Sequence, residues 1–295
     1  MTIKKIRMTA LLCLMAIVGA ASGAAHAEFE VKYTDLPTGV TMEYVDKGPK
    51  GASAVIFIHG YPDSWRSYEQ VLELWPDDMR AIAMSLRGFG DSSKPAVGYS
   101  LKGQAADVLA LMDHLDIGTA VIVGHSMGSL IASTFSSSYP DRTRAAVLIA
   151  TMPTLMNTPD VQALWDDAVS TLEDPLDPAF VREFQESTVA RPVPVDFMNK
   201  IITESLKAPA WVWRDMLGSF VHGNFEAAIV ETKAPILFIW GSEDWMVTAD
   251  ARNTLSAIAA KPEMLVVAGA GHSLHWEDPA FMTGVIADYA RLSAQ

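Results

Sequence analysis

Two periodicities alternate along this chain. "FEVKYTDL" and "VTMEYVDKG" switch between apolar and polar residues on either side of a turn at Pro37 and Gly39, predicting two strands. "SAVIFIHG" is instead continuously apolar, as a strand covered on both faces should be. A helical stretch follows in "SWRSYEQVLELW", then a strand in "RAIAMSL" and a bend at "RGFGDSSKP". Ser100 stands where it can cap "LKGQAADVLALMDHL", whose apolar positions recur every three or four residues. Next come the strand "TAVIVG", a helix from Met127 to about Tyr139, and the strand "AAVLIA". Strand and helix in strict alternation predict an α/β fold, a parallel sheet with helices on both faces.

The rhythm breaks over residues 152–232. Helical patterns follow one another there ("VQALWDDAVSTL", "DPAFVREFQES", "VDFMNKIITESL", "APAWVWRDMLGSF"), with prolines between them and no clear strand. It resumes with "PILFIWG", a helix near "TADARNTLSAIAA", the strand "EMLVVAG" and a last helix capped by Asp278 and Pro279. The simplest organisation is a core domain formed by residues 28–151 and 233–295, with residues 152–232 folded over it as a helical cap.

The first 27 residues stand apart. A basic start (Lys4, Lys5, Arg7), an apolar run and an A-x-A ending at Ala27 read as a secretory signal peptide. The apolar run is shorter than the roughly 20 residues a membrane span needs, so no stable membrane insertion is expected after cleavage. The only cysteine, Cys13, would leave with it, taking away any disulfide, thiol nucleophile or thiolate metal site. The expected location is therefore exported, periplasmic or secreted. A formal charge of −13 over 295 residues argues against a nucleic-acid partner, since phosphate binding needs a basic surface. Nothing in the sequence bears on oligomeric state.

Chemistry gathers at "AVIVGHSMGSLIAS". Ser126 sits where a central strand gives way to a helix, the edge at which open α/β sheets bind ligands. Gly124 and Gly128 remove the crowding that a sharp strand-to-helix turn creates, so the spacing G-x-S-x-G has a steric cause. A serine hydroxyl is a poor nucleophile unless a base is held beside it by a third group. Among seven histidines, His272 in "VVAGAGHSLHWEDP" follows the last strand on the same sheet edge, and its flanking glycines favour it over His275 for an exposed, mobile position. This histidine pair lacks a third ligand pattern, so no metal is expected. The orienting acid should end another strand. "ILFIWGSEDWMV" offers Glu243 and Asp244, of which Asp244, with the shorter carboxylate past the turn, is the choice. In "IFIHGYPDSW" the chain turns so that the Tyr61 amide can face the serine. With the Met127 amide it would form a pair of donors for a tetrahedral oxyanion. His59 reads as a structural hydrogen-bonding residue.

From about Phe29 to its end the chain resembles the α/β-hydrolase family, through "HGYPDSW", "RGFGDSSKP", "GHSMGS", "GSEDWMV" and "GAGHSLHWEDP" in the order nucleophile, acid, histidine. The resemblance implies a mostly parallel sheet of about eight strands, a cap inserted after the sixth, no cofactor, and a purely structural role for "RGFGDS". Ser129 departs from the pattern, where relatives often carry another glycine, and implies only a packing adjustment. Two of the loops resemble those of epoxide hydrolases and haloalkane dehalogenases, which use aspartate at the position of Ser126. A serine attacking an epoxide would leave an ether that water does not cleave, and the cap holds no tyrosine to activate the ring oxygen.

Together these readings point to a serine hydrolase acting on small to medium hydrophobic carboxylic esters or lactones through an acyl-serine. Alternatives are a carbon–carbon bond hydrolase, for which Arg182, Arg191, Lys200 and Arg214 offer cap cations, and a cofactor-free haloperoxidase or perhydrolase. A non-catalytic binding protein on the same scaffold is the third. The cap's bulky residues (Trp165, Phe180, Phe184, Phe197, Trp211, Trp213, Met216, Phe220 and Phe225) are expected to form mostly its own core.

Overall fold

The continuous apolar runs become the centre of one sheet. A computed structural model describes residues 29–156, 158–260 and 262–293; the segment read as a signal peptide lies outside them. Eight strands form the sheet: β1 (Val31–Asp35), β2 (Thr41–Lys47), β3 (Ala54–Ile58), β4 (Arg80–Met84), β5 (Ala120–His125), β6 (Thr143–Ile149), β7 (Ile236–Gly241) and β8 (Pro262–Val267). Their order is β1-β2-β4-β3-β5-β6-β7-β8. The alternating segments, β1 and β2, pair antiparallel at one side, and every pairing from β4 to β8 is parallel.

Because side chains alternate across a strand, each apolar run feeds two cores at once. Val55, Phe57, Val121, Val123, Val147 and Ile239 face α1 (Glu69–Glu73) and, at the chain's end, Pro279–Leu292. Ile56, Ile58, Ile122, Leu148 and Phe238 face α2 (Leu101–His114) and α3 (Met127–Ser138) on the other side. Ser100 caps α2 as expected, its Oγ accepting from the Gly103 amide at 3.1 Å. The "RGFGDS" bend is structural: Arg87 grips the buried Asp107 of α2 through two 2.6 Å bonds, while Gly88 and Gly90 take positive φ.

Among the described residues, five α-helices fill the interval between β6 and β7: α4 (Pro159–Asp167), α5 (Pro178–Ser187), α6 (Val195–Ser205), α7 (Ala210–Phe220) and α8 (Glu226–Glu231), with a short 3₁₀ helix, Val169–Thr171, after α4. The insertion after the sixth strand is thus where the resemblance placed it. The short α8 has no counterpart in the sequence reading, and a single bridge, Thr154 to Asn224, is the one strand-like pairing there among the described residues. The chain then completes the core with α9 (Ala249–Ile258), the one-turn α10 (Leu274–Glu277) and α11 (Pro279–Leu292), the last capped by Asp278. Cap and core are tied by ion pairs, Lys200 to Glu69 at 2.6 Å and Lys207 to Asp91 at 2.7 Å among them.

Candidate active site

All five sequence-selected residues lie at the carboxyl edge of the parallel strands. Ser126 follows β5 directly, with φ 51° and ψ −119°, a conformation that L residues rarely hold. Two close approaches impose it. A Cβ at Gly124 would stand 2.1 Å from the Gly128 carbonyl oxygen, and one at Gly128 would stand 2.2 Å from that of Ile58. Nothing larger than hydrogen fits either place, which is the steric origin of the spacing. Ser129 does more than pack: its Oγ donates to the Ser126 carbonyl at 2.5 Å and helps hold the bend.

His272 and Asp244 meet. The His272 Nδ1–H donates to Asp244 Oδ2 at 2.8 Å, and Asp244 Oδ1 accepts the amides of Met246 and Val247 at 2.9 and 3.2 Å. Glu243 is exposed, and its carboxylate accepts from its neighbour Ser242. With Nδ1 protonated, His272 Nε2 keeps its lone pair; it has no partner among the described residues and lines the same pocket as Ser126. The acid and histidine loops are also sewn together, the Glu243 amide donating to the Ala270 carbonyl at 2.9 Å.

One expectation fails. His272 is not exposed but buried, at 2 % of its free surface, because the cap closes over its loop. Gly271 serves that closure: a Cβ there would meet the Ala190 amide at 2.6 Å.

The turn expected to carry an oxyanion donor, at Gly60 and Tyr61, follows β3. His59 is structural, as expected: Nδ1–H donates to the Gly60 carbonyl and Nε2 accepts from the Leu86 amide, while burial lowers its pKa to about 4. The Tyr61–Pro62 bond is cis. Tyr61 and Met127 both line the pocket, and neither amide has a backbone acceptor among the described residues. For Met127 this follows from its place at the first turn of α3, whose amides have no partner within the helix.

Around these groups the pocket is mainly apolar, with Leu130, Met152, Leu155, Val161, Leu217 and Phe220 on its walls. Of the nine bulky cap residues only Phe184 and Phe220 reach it. None of the four cap cations does. Arg182 pairs with Glu186, Lys200 with Glu69, and Arg191 and Arg214 hydrogen-bond backbone carbonyls. His114 and His222 are exposed and do not line the pocket. Among the described residues no cluster suited to a metal ion occurs, and no helix is long and apolar enough to cross a membrane.

Sequence reasoning passed over a polar wall. Asp63 is buried in the pocket lining, its Oδ1 accepting from Gln185 of α5 at 2.9 Å and its Oδ2 from Ser67 at 3.1 Å. His125 lies between the rings of His272 and His275, with its Nε2–H donating to the His272 carbonyl at 3.0 Å; burial lowers its pKa and keeps it neutral. Burial also pushes the Asp63 carboxyl from 3.8 up to about 7, against the lowering effect of its two hydrogen bonds. The sign of the consequence is fixed. Between about pH 4 and pH 7 the folded chain keeps a proton that the unfolded chain has released, so stability falls as pH rises across that window, by up to about 4 kcal/mol. Asp63→Asn should remove much of this fall. Thermal unfolding at pH 5 and pH 8 checks it, and a pH dependence equal to that of the wild type would count against it.

A match to the family model described as "alpha/beta hydrolase fold" spans residues 53–279. Fold, elbow and pocket thus define the class, and the chain belongs to the α/β-hydrolase family. It is 28% identical over 253 residues to the bifunctional esterase/perhydrolase DCH of Acinetobacter calcoaceticus, covering 79% of this chain and 90% of that one. Among solved structures it is similar to an esterase from Exiguobacterium antarcticum (TM-score 0.79, 18% identity, 89% of this chain and 100% of that one). An enol-lactonase from Burkholderia xenovorans LB400 superposes with TM-score 0.76 at 19% identity, over 88% of this chain and 99% of that one. Both structural likenesses are likenesses of fold.

Proposed function

We propose that this hydrolase cleaves small to medium hydrophobic carboxylic esters or lactones, with Ser126 as nucleophile, His272 as base and Asp244 as orienting acid. The observation that carries the reading is the placement of the imidazole: Nδ1 lies 2.8 Å from Asp244 Oδ2, which as a carboxylate oxygen can only accept, and Nε2 is left without a partner among the described residues in the pocket that Ser126 also lines. In the first step Ser126 Oγ attacks the carbonyl carbon while Nε2 takes the hydroxyl proton. The resulting oxyanion is received by the amides of Tyr61 and Met127. His272 then passes its proton to the leaving alcohol, and the acyl group stays on Ser126. Water, deprotonated by Nε2, attacks the acyl-serine, and the acid departs as Oγ regains its proton. Asp244 keeps the ring in the useful tautomer and stabilises the cation formed in each half-reaction.

An apolar pocket without a reachable cation supports a neutral, greasy substrate over a dienoate-type carboxylate, and so supports the ester reading over carbon–carbon bond hydrolysis. The similarity to a bifunctional esterase/perhydrolase supports a second reading. Hydrogen peroxide replacing water against the same acyl-serine would release a peracid. As to location, we read residues 1–27 as an export signal and the enzyme as acting outside the cytoplasm.

Rates on p-nitrophenyl acetate, butyrate and longer esters test the proposal. Two additional buried methylenes contribute about 1.6 kcal/mol, so kcat/KM should rise about tenfold from acetate to butyrate. A chain that cleaves a vinylogous diketone and turns over none of the esters would overturn it. Peracid formed from an ester and peroxide would establish the second reading alongside the first.

A further inference from the structure

The cap reaches beyond the pocket walls. Within six residues the end of α5 and the turn after it hydrogen-bond all three loops that carry the proposed chemistry. Gln185 Nε2 donates to Asp63 of the oxyanion turn at 2.9 Å. The carbonyl of Ser187 accepts from the indole of Trp245, next to Asp244, at 3.0 Å. Thr188 holds the histidine loop twice: its carbonyl accepts the Ser273 amide at 2.9 Å, and its Oγ1 accepts from Ser273 Oγ at 2.9 Å. The Thr188 hydroxyl proton goes to the Gln185 carbonyl at 2.8 Å, so donor and acceptor are both used. Lastly the Ala190 amide donates at 2.6 Å to Glu277 Oε1, and the same carboxylate accepts the Gly271 amide.

Resting on the proposed function, we propose that Thr188 is a positioning residue: the cap completes the alignment of His272 with Ser126, and does not merely roof the pocket. The energetics favour this. Ser273 is fully buried beside His272, and without Thr188 Oγ1 its hydroxyl would lose its acceptor. A buried hydroxyl left unpaired is destabilising, and the loop escapes that by moving. Movement is expensive for catalysis, since a displacement of about 1 Å in the reacting geometry can cost on the order of a hundredfold in rate.

Thr188→Val keeps the shape and β-branching while removing both side-chain bonds. On p-nitrophenyl acetate, too small to need the cap walls, and on the octanoate, kcat should fall about tenfold or more for both. KM for each should stay within about twofold, and Thr188→Ser should restore most of the loss. A KM rise confined to the octanoate, with acetate kcat unchanged, would make the turn only a pocket wall and overturn the inference. If Thr188→Val does not fold by circular dichroism, Glu277→Gln is measured the same way, since its NH₂, a donor, would stand against the Gly271 amide where Glu277 Oε2 now accepts it. A readout independent of turnover is the low-field proton NMR signal of the His272–Asp244 hydrogen bond. It should shift or broaden in Thr188→Val, and an unchanged signal counts against positioning. Wild-type protein inert to both esters would refute the proposed function, and this signal would still decide the inference.

Discussion

Ser126→Ala is expected to lower ester turnover by about 10⁴-fold or more while leaving the melting temperature nearly unchanged. The loss is chemical, because nothing else at the elbow can form the acyl bond: the next residues are Met127 and Gly128, and His125 is held in place with its Nε2 spent on the His272 carbonyl. Stability should survive because the Ser126 side chain caps nothing and removal of one hydroxyl leaves φ at 51°, equally unfavourable for serine and alanine. Residual rate would come from the two amide donors and from binding. Kinetics on p-nitrophenyl butyrate with purified variant check this, and turnover within tenfold of wild type would mean that another residue is the nucleophile.

Asp244→Asn should cost almost as much, about 10⁴-fold in kcat, with little change in KM. The reason lies in proton bookkeeping. Asp244 Oδ1 already accepts two amides, which fixes the carboxylate plane and leaves Oδ2 for the imidazole. An asparagine in that seat keeps its oxygen toward the amides and turns its NH₂ toward Nδ1. The ring must then carry its proton on Nε2, where the base is needed. Glu243→Gln, one residue away, should retain rates within about twofold, since Glu243 faces solvent. The reverse pattern would shift the acid by one position.

Much of this site was legible because its pieces are local. A glycine-fenced serine after an apolar run, two acids after another, and a histidine preceded by two glycines after a third each follow from short-range sterics and strand ends. The continuous runs of β3, β5, β6 and β7 are legible for the same reason, since a strand buried on both faces has no polar position to disguise it. What escaped notice joins distant parts of the chain. Asp63 carries no sequence pattern of its own, and only packing brings Gln185 and Ser67 to it. Thr188 carries no pattern at all; its meaning comes from Ser273, which the fold sets against it. The burial of His272 was missed likewise, because glycines read as freedom when viewed alone. At Gly271 the missing side chain instead admits the backbone of the cap. The brief α8 and α10 offered too few turns for a helical period to emerge.

The whole scheme stands on one activated hydroxyl. Incubation of the folded protein with a fluorophosphonate, followed by peptide mass spectrometry, reads it directly. A single adduct on the peptide carrying Ser126, abolished in Ser126→Ala and strongly slowed in Asp244→Asn, is the expected result. Folded protein whose Ser126 peptide remains unmodified, or that is labelled at some other serine, would contradict it.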